Sequence, residues 1–229
     1  KVIFAHSRLS INDINNGDQP LYNNDKTITL IANAEIYNSK SILLVAKEQI
    51  DFQPNTGSDC EALIAAYLLY GPEEMHMHIK GMYAFAILDS KKNKVILGRD
   101  HIGIKPLYYL ENQSKVLEFA SEAKAIINSG KVYPFPNGSI GTYDIDTQDL
   151  IITPYECQYN LDSIKEDAID HKLSIQEVND ADIQDIMLSF KKAFKDAVQI
   201  RFQSDVPVCL FLSGGLDSAV LAVVIKELM

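Results

Sequence analysis

Cysteine is scarce in this 229-residue chain, and what there is does not pair. Cys60, Cys157 and Cys209 are odd in number and far apart, with no CxxC spacing. That pattern excludes a disulfide scaffold and a zinc site of the usual kind, and it points to reduced thiols in a cytoplasmic setting. Positive charge is short as well: 21 Lys and Arg stand against 31 Asp and Glu, for a formal charge of −10. Such a surface cannot neutralise a run of phosphates, so no nucleic-acid partner is expected. A single nucleotide pocket is still open, because it relies on backbone amides more than on net charge. No hydrophobic run approaches the roughly 20 residues that span a bilayer, so no membrane partner is expected either. The histidines (His6, His76, His78, His101, His171) have no metal-ligand spacing, and His76 and His78 read as surface residues. No signal peptide is expected, and the sequence does not open on Met. The opening KVIFAH reads as the interior of a strand, so the chain is expected to be a piece cut at both ends.

What is present falls into two texts. Up to about residue 150, short β-rich runs (KVIFAHSRLSI, TITLIANAEIY, MYAFAILD, NKVILGRD, PLYYL, KVLEFAS) alternate with Gly, Asn, Asp and Pro punctuation. Two helices are expected among them. SDCEALIAAYLLYG has Ser58 and Glu61 spaced as a capping box and Gly71 as its stop, and SEAKAIINSG ends at Gly130. Strands grouped with a few helices argue for an α+β sandwich. Residues 153–182 are polar, acidic and without period, and read as a linker. After it, Ile183, Ile186, Met187, Phe190, Phe194 and Val198 follow helical spacing, VPVCLFL reads as a buried strand, SGGLDS as a turn and AVLAVVIKELM as a helix. Strand, Gly turn and helix together open an α/β nucleotide-binding sheet.

In the loop at 213–218 the glycines allow a tight turn and close approach to a ligand, while loop amides and the helix start converge on an anion. Asp217 beside a phosphate makes sense when Mg²⁺ lies between the two. The plainer reading is a strand-to-helix turn with an N-capping side chain. The loop matches neither GxxxxGK[ST] nor GxGxxG, but SGGxDS resembles the pyrophosphate loop of the ATP pyrophosphatase family. That resemblance implies ATP as a bound group, with Leu212, Ser213, Gly214, Gly215, Asp217 and Ser218 as its binders and Asp217 as the Mg²⁺ contact.

Four segments upstream, AHSRLSIND, NAEIYN, GSDCEAL and GRDHIGIKPLYY, resemble in the same order the glutaminase domain of the glutamine-hydrolysing asparagine synthetase family. GDQPLYN, GMYAFAILD and FASEAKAI agree with it. The resemblance implies an N-terminal-nucleophile αββα sandwich over residues 1–152, incomplete at its start, and the opening of the ATP pyrophosphatase-type synthetase domain over 183–229. It implies glutamine, aspartate and ATP as small-molecule substrates and leaves a homodimer open. The residue types suit glutamine. Arg8 can fork onto a carboxylate, Glu35 and Asp59 can accept from ammonium or amide protons, and Asn33 with the Ala34 amide can hold an oxyanion. By resemblance Leu9, Ser10, Ile11 and Asn12 complete the wall. Each has a plainer use: Asp59 as a helix N-terminal acid, Asn33 and Glu35 as solvent-facing strand residues, Arg8 as surface. Arg99 and Asp100 read as a structural pair.

Two departures bear on activity. The family's nucleophile is an N-terminal Cys, and none of the cysteines here replaces it: Cys60 reads as a buried small hydrophobe, Cys157 as linker and Cys209 as core strand. This chain is therefore expected to lack glutaminase activity. Ala34 stands where the family has Gly, a strain of about 1 kcal/mol if φ is positive there and harmless otherwise. Two further readings stay open: a ligase of the same build with another acceptor, forming β-lactams or peptide cross-links, and a non-catalytic glutamine-binding module.

Overall fold

The computed structural model describes residues 1–111, 116–127, 130–155 and 180–229, and the chain divides into two units, residues 1–155 and 156–229. In the first unit the strands are β1 (Leu21–Tyr22), β2 (Ile28–Ile36), β3 (Gly81–Asp89), β4 (Lys94–Arg99), β5 (Tyr108–Glu111), β6 (Glu118–Ala120), β7 (Lys131–Pro134), β8 (Ser139–Asp144) and β9 (Asp149–Pro154). Its helices are α1 (Ser39–Ile50) and α2 (Glu61–His78). A six-stranded antiparallel sheet runs β1-β2-β3-β4-β8-β9, and a three-stranded sheet runs β6-β5-β7.

Strand alternation builds the layers. On β3, Tyr83, Phe85 and Ile87 join the core beneath α1 and α2, with Leu30, Ile36, Leu63 and Ile64. Ala84 and Ala86 point the other way, into a second core with Leu97, Leu107 and Phe135, which carries Tyr109 of the small sheet. The unit is therefore a helix–sheet–sheet stack of the α+β class, each sheet face apolar where it is covered.

Several local expectations change. Residues 1–10 form no strand. Glu61 does not close a capping box on Ser58: its Oε1 accepts from the amides of Asn55 and Thr56 and from the Thr56 hydroxyl, at 3.0, 2.8 and 2.9 Å. The carboxyl is fully enclosed, and burial raises its pKa. Gly71 does stop the first helical stretch with φ +72, but Pro72 opens another that runs to His78. Where SEAKAIINSG reads as a helix, the described residues form a 3-10 turn, Ala123–Ala125, and no α-helix. His78 is exposed, whereas His76 is buried and its ring stacks on Tyr155 at 4.2 Å. Arg99 and Asp100 act separately on one loop. Arg99 donates to the carbonyls of Lys105, Phe135 and Gly103, and Asp100 accepts from the amides of Tyr83, Ile102, Ile104 and Lys105.

In the second unit α3 (Asp180–Gln199) and α4 (Leu216–Leu228) form as the apolar spacing predicts. VPVCLFL does not form a strand: residues 207–212 are exposed, and Phe211 is 95% accessible. A strand needs a neighbour to take its amides and carbonyls, and no ladder reaches this segment among the described residues. Cys209 is accordingly exposed instead of in a core. Cys157, His171 and most of the expected linker lie outside the described residues. No helix among the described residues is long and apolar enough to cross a membrane.

Candidate functional site

Three pieces of the first unit meet at the far end of β2: the loop 5–18, residues 32–36 of the strand, and the turn 55–60 into α2. Along β2 the pattern Ile28, Leu30, Ala32 is buried, and Ile36 is buried again at the end. Between them Asn33 is exposed, and Ala34 and Glu35 are half-buried. The strand thus carries polar groups where it leaves the core.

The backbone there has an open side. In a strand, amides two residues apart point to the same edge. The Ala32 amide donates to Gln19 Oε1 at 2.6 Å and the Ile36 amide to Asp59 Oδ2 at 2.6 Å, so both point away from β3. The Ala34 amide lies between them and faces the same way. β1 pairs with β2 only at Leu30 and Thr29, so no described strand covers this part of the edge. Side chains line it instead: Gln19 Nε2 and His6 Nε2 both reach the Ala32 carbonyl, at 2.9 and 3.1 Å, and Cys60 Sγ lies 4.0 Å from the Ala34 carbonyl. Burial lowers the His6 pKa, which favours the neutral ring there. Ala34 has regular strand geometry, paired opposite Tyr83, and is not among the positive-φ residues, so its Cβ costs no backbone strain.

Asp59 joins the pieces. One carboxylate oxygen holds the Ile36 amide, and the other accepts from Asn12 Nδ2 at 3.3 Å. Asp13 does the same for the turn, taking the Gly57 amide at 2.6 Å. Arg8 holds the loop together. Its Nη2 donates to the carbonyls of Asn12 and Asp13 at 2.6 and 2.7 Å, and its Nη1 to the Ile14 carbonyl at 3.4 Å and to Asp18 at 3.1 Å. Ser10 and Ile11 are half-buried, and Leu9 is 84% exposed. The charges of Asp59, Arg8 and Glu35 all act on the Cys60 thiol. Burial first, then the Asp59 carboxylate, pushes that thiol up to about 12. Cys60 is therefore a protonated, enclosed thiol and no nucleophile.

Of the expected set, the structure brings Arg8, Asn12, Asn33, Ala34, Glu35 and Asp59 to one end of β2. Sequence reasoning missed Asp13, Asp18, Gln19 and His6. Their signal is faint, since polar residues around a glycine read as a generic loop.

The second unit holds its own candidate. Gly214 has φ +83, a conformation open to glycine. Ser213 and Ser218 hydroxyls lie 3.0 Å apart, and Ser218 donates to the Gly215 carbonyl. Asp217 stands exposed in the first turn of α4, and Leu212 is exposed as well. The loop thus delivers its hydroxyls and a carboxylate to the start of a helix whose first amides have no partner within the helix.

A layered α+β unit with an amide, a carboxamide and carboxylates at an open strand edge defines a class, and residues 1–139 match the glutamine amidotransferase domain family. The chain belongs to that family. Residues 189–229 match a second one, asparagine synthase. The relatives narrow the likeness. The chain is 39% identical over 226 residues to asparagine synthetase B [glutamine-hydrolyzing] of Escherichia coli K12, covering 98% of this chain and 37% of that one. It is 35% identical over 228 residues to a probable asparagine synthetase [glutamine-hydrolyzing] of Dictyostelium discoideum, covering 98% and 38%. The chain thus spans little more than a third of the curated relatives it matches. Among solved structures, the glutamine phosphoribosylpyrophosphate amidotransferase of B. subtilis, complexed with ADP and GMP, superposes with a TM-score of 0.51. At 19% identity, over 62% of this chain and 32% of that one, the likeness is one of fold.

Proposed function

We propose that the protein is a glutamine-hydrolysing asparagine synthetase, to which residues 1–155 contribute the glutamine pocket and residues 180–229 the opening of the synthetase site. The observation that carries this is the open edge of β2. The Ala34 amide faces it between two amides already satisfied by Gln19 and Asp59, beside the exposed Asn33 carboxamide. Two such donors suit the oxyanion that forms when the side-chain amide of glutamine is attacked. Arg8 supplies the cation for the substrate carboxylate, and Asp59 and Glu35 the acceptors for its ammonium. Leu9, Ser10, Ile11 and Asn12 border the pocket. Water completes the hydrolysis to glutamate and ammonia.

In the second unit the resemblance of SGGLDS to a pyrophosphate loop supports ATP as the activating substrate. Leu212, Ser213, Gly214, Gly215 and Ser218 would border its phosphates. An exposed carboxylate at a helix start beside a glycine loop fits Mg²⁺ shared with phosphate oxygens, so Asp217 would hold the ion, which when bound offsets pyrophosphate charge. Aspartate would take AMP on its β-carboxylate with release of pyrophosphate, and ammonia would then displace AMP to give asparagine. A reduced, buried Cys60 supports a cytoplasmic setting.

The test is to incubate the whole protein with glutamine, aspartate and ATP and to assay asparagine, AMP and pyrophosphate by chromatography. All three are expected in equal amounts. Pyrophosphate release with a different acid and no asparagine overturns the acceptor. Arg8→Ala is expected to abolish synthesis from glutamine and to leave synthesis from ammonium salts intact, and glutamine use that survives the change overturns the carboxylate role.

A further inference from the structure

Arg8 is committed within its own loop. The two bonds from Nη2 are short and go to backbone carbonyls. Nη1 is held more loosely, by a 3.4 Å bond to the Ile14 carbonyl and by the Asp18 carboxylate at 3.1 Å. The members of this ion pair differ in exposure: the Arg8 side chain is 14% accessible and that of Asp18 is 87% accessible. Gly17 explains how Asp18 comes to lie there. A Cβ at position 17 would overlap Arg8 Nη2, so the chain passes directly against the guanidinium and delivers the next residue to its outer rim.

A glutamine molecule reaching Arg8 from solvent brings the same group that Asp18 already offers, a carboxylate seeking guanidinium N–H donors. The two cannot use Nη1 together without placing like charges side by side. We propose that Asp18 is a built-in competitor for the substrate carboxylate at Arg8, and that it sets how much glutamine the pocket requires without taking part in the chemistry. This rests on the reading of residues 1–155 as a glutamine pocket. Asp18 is a positioning residue, acting only through Arg8. Because it is so exposed, its pairing is weak and can be displaced: an ion pair of this kind shifts an equilibrium by a factor of up to about five. The pocket can therefore still fill, at a higher concentration of glutamine.

The experiment uses the whole protein with Asp18→Ala, Asp18→Asn and Asp18→Glu, and reads initial rates of glutamine hydrolysis. The Ala and Asn variants are expected to lower KM for glutamine about two- to fivefold at unchanged kcat, and the Glu variant to keep a KM close to that of the parent protein. Glutamine with its α-carboxylate converted to an amide serves as the second probe, as a competitive inhibitor. Its inhibition constant is expected to stay nearly the same in all four proteins, because it brings no carboxylate to compete with Asp18 for Arg8. A KM that does not fall in Asp18→Ala and Asp18→Asn overturns the proposal, as does a parallel tightening of the amide probe, which would mark a change of loop shape. If the parent protein itself hydrolyses no glutamine, the pocket reading falls and the competitor with it. That outcome is distinct from a glutaminase whose KM ignores Asp18.

Discussion

Cys60 lies next in sequence to Asp59, close to the open strand edge, yet its thiol is enclosed and protonated. Alkylation of the native protein at mild alkaline pH is expected to spare Cys60, while the unfolded protein reacts there at once; peptide mass mapping reads the difference. The folded thiol holds its proton to higher pH than the unfolded one. The stability this supplies is complete below the ordinary thiol range and is lost as pH climbs toward about 12. At this scale the residue types of the proposed pocket were readable, because Arg, Asn, Glu and Asp suit the groups of the glutamine proposed to bind there. What each side chain touches was not. Arg8 reads as a free fork, but it spends its donors on the carbonyls of residues 12–14 and on Asp18. No local rule of sequence reports that a loop will wrap an arginine.

Among the elements, β2 and β3 decide the site, since the register Glu35 opposite Met82 and Ile36 opposite Gly81 sets where the polar end of β2 emerges. Gly81 is required by contact: a Cβ there would overlap the Glu35 carbonyl. Gly81→Ala is expected to cost roughly 2 kcal/mol or more in urea unfolding and to weaken glutamine binding, since the strands must part where Glu35 sits. The β-rich runs of β2, β3 and β4 were legible, although β3 and β4 are buried along most of their length instead of alternating. α1 was not, although Ile42 and Ala46 are buried on it. Its flanking Asn38 caps nothing by side chain; its Oδ1 accepts from the Lys80 amide and its Nδ2 donates to the His78 carbonyl, ties to residues far along the chain. Residues 1–11 and 206–212 show the opposite error. Their β-rich composition is real, but composition cannot supply the neighbouring strand that a ladder needs.

Across the whole molecule the two units differ in what they bury. The first has two apolar cores, one on each face of its large sheet. In the second, Val198 and Val224 are the buried apolar residues among those described, while Ile186, Met187, Leu188 and Phe190 of α3 remain open. Local stability follows buried contacts. In hydrogen–deuterium exchange of this chain, peptides from α3 and α4 are therefore expected to exchange well before those from β3 and β4. Equal protection in both units would overturn this ranking. By itself the sequence determined the α+β class, the helical periods of α3 and α4, the family of the first unit and the residue types of its pocket, because hydrophobic alternation and motif order are properties of the chain alone. Only the tertiary structure decided that Ala34 is unstrained, that its amide faces an open edge, that Cys60 is sealed and that Asp18 occupies Arg8. Each of those depends on groups distant in sequence meeting in space, where register, burial and loop path are settled together.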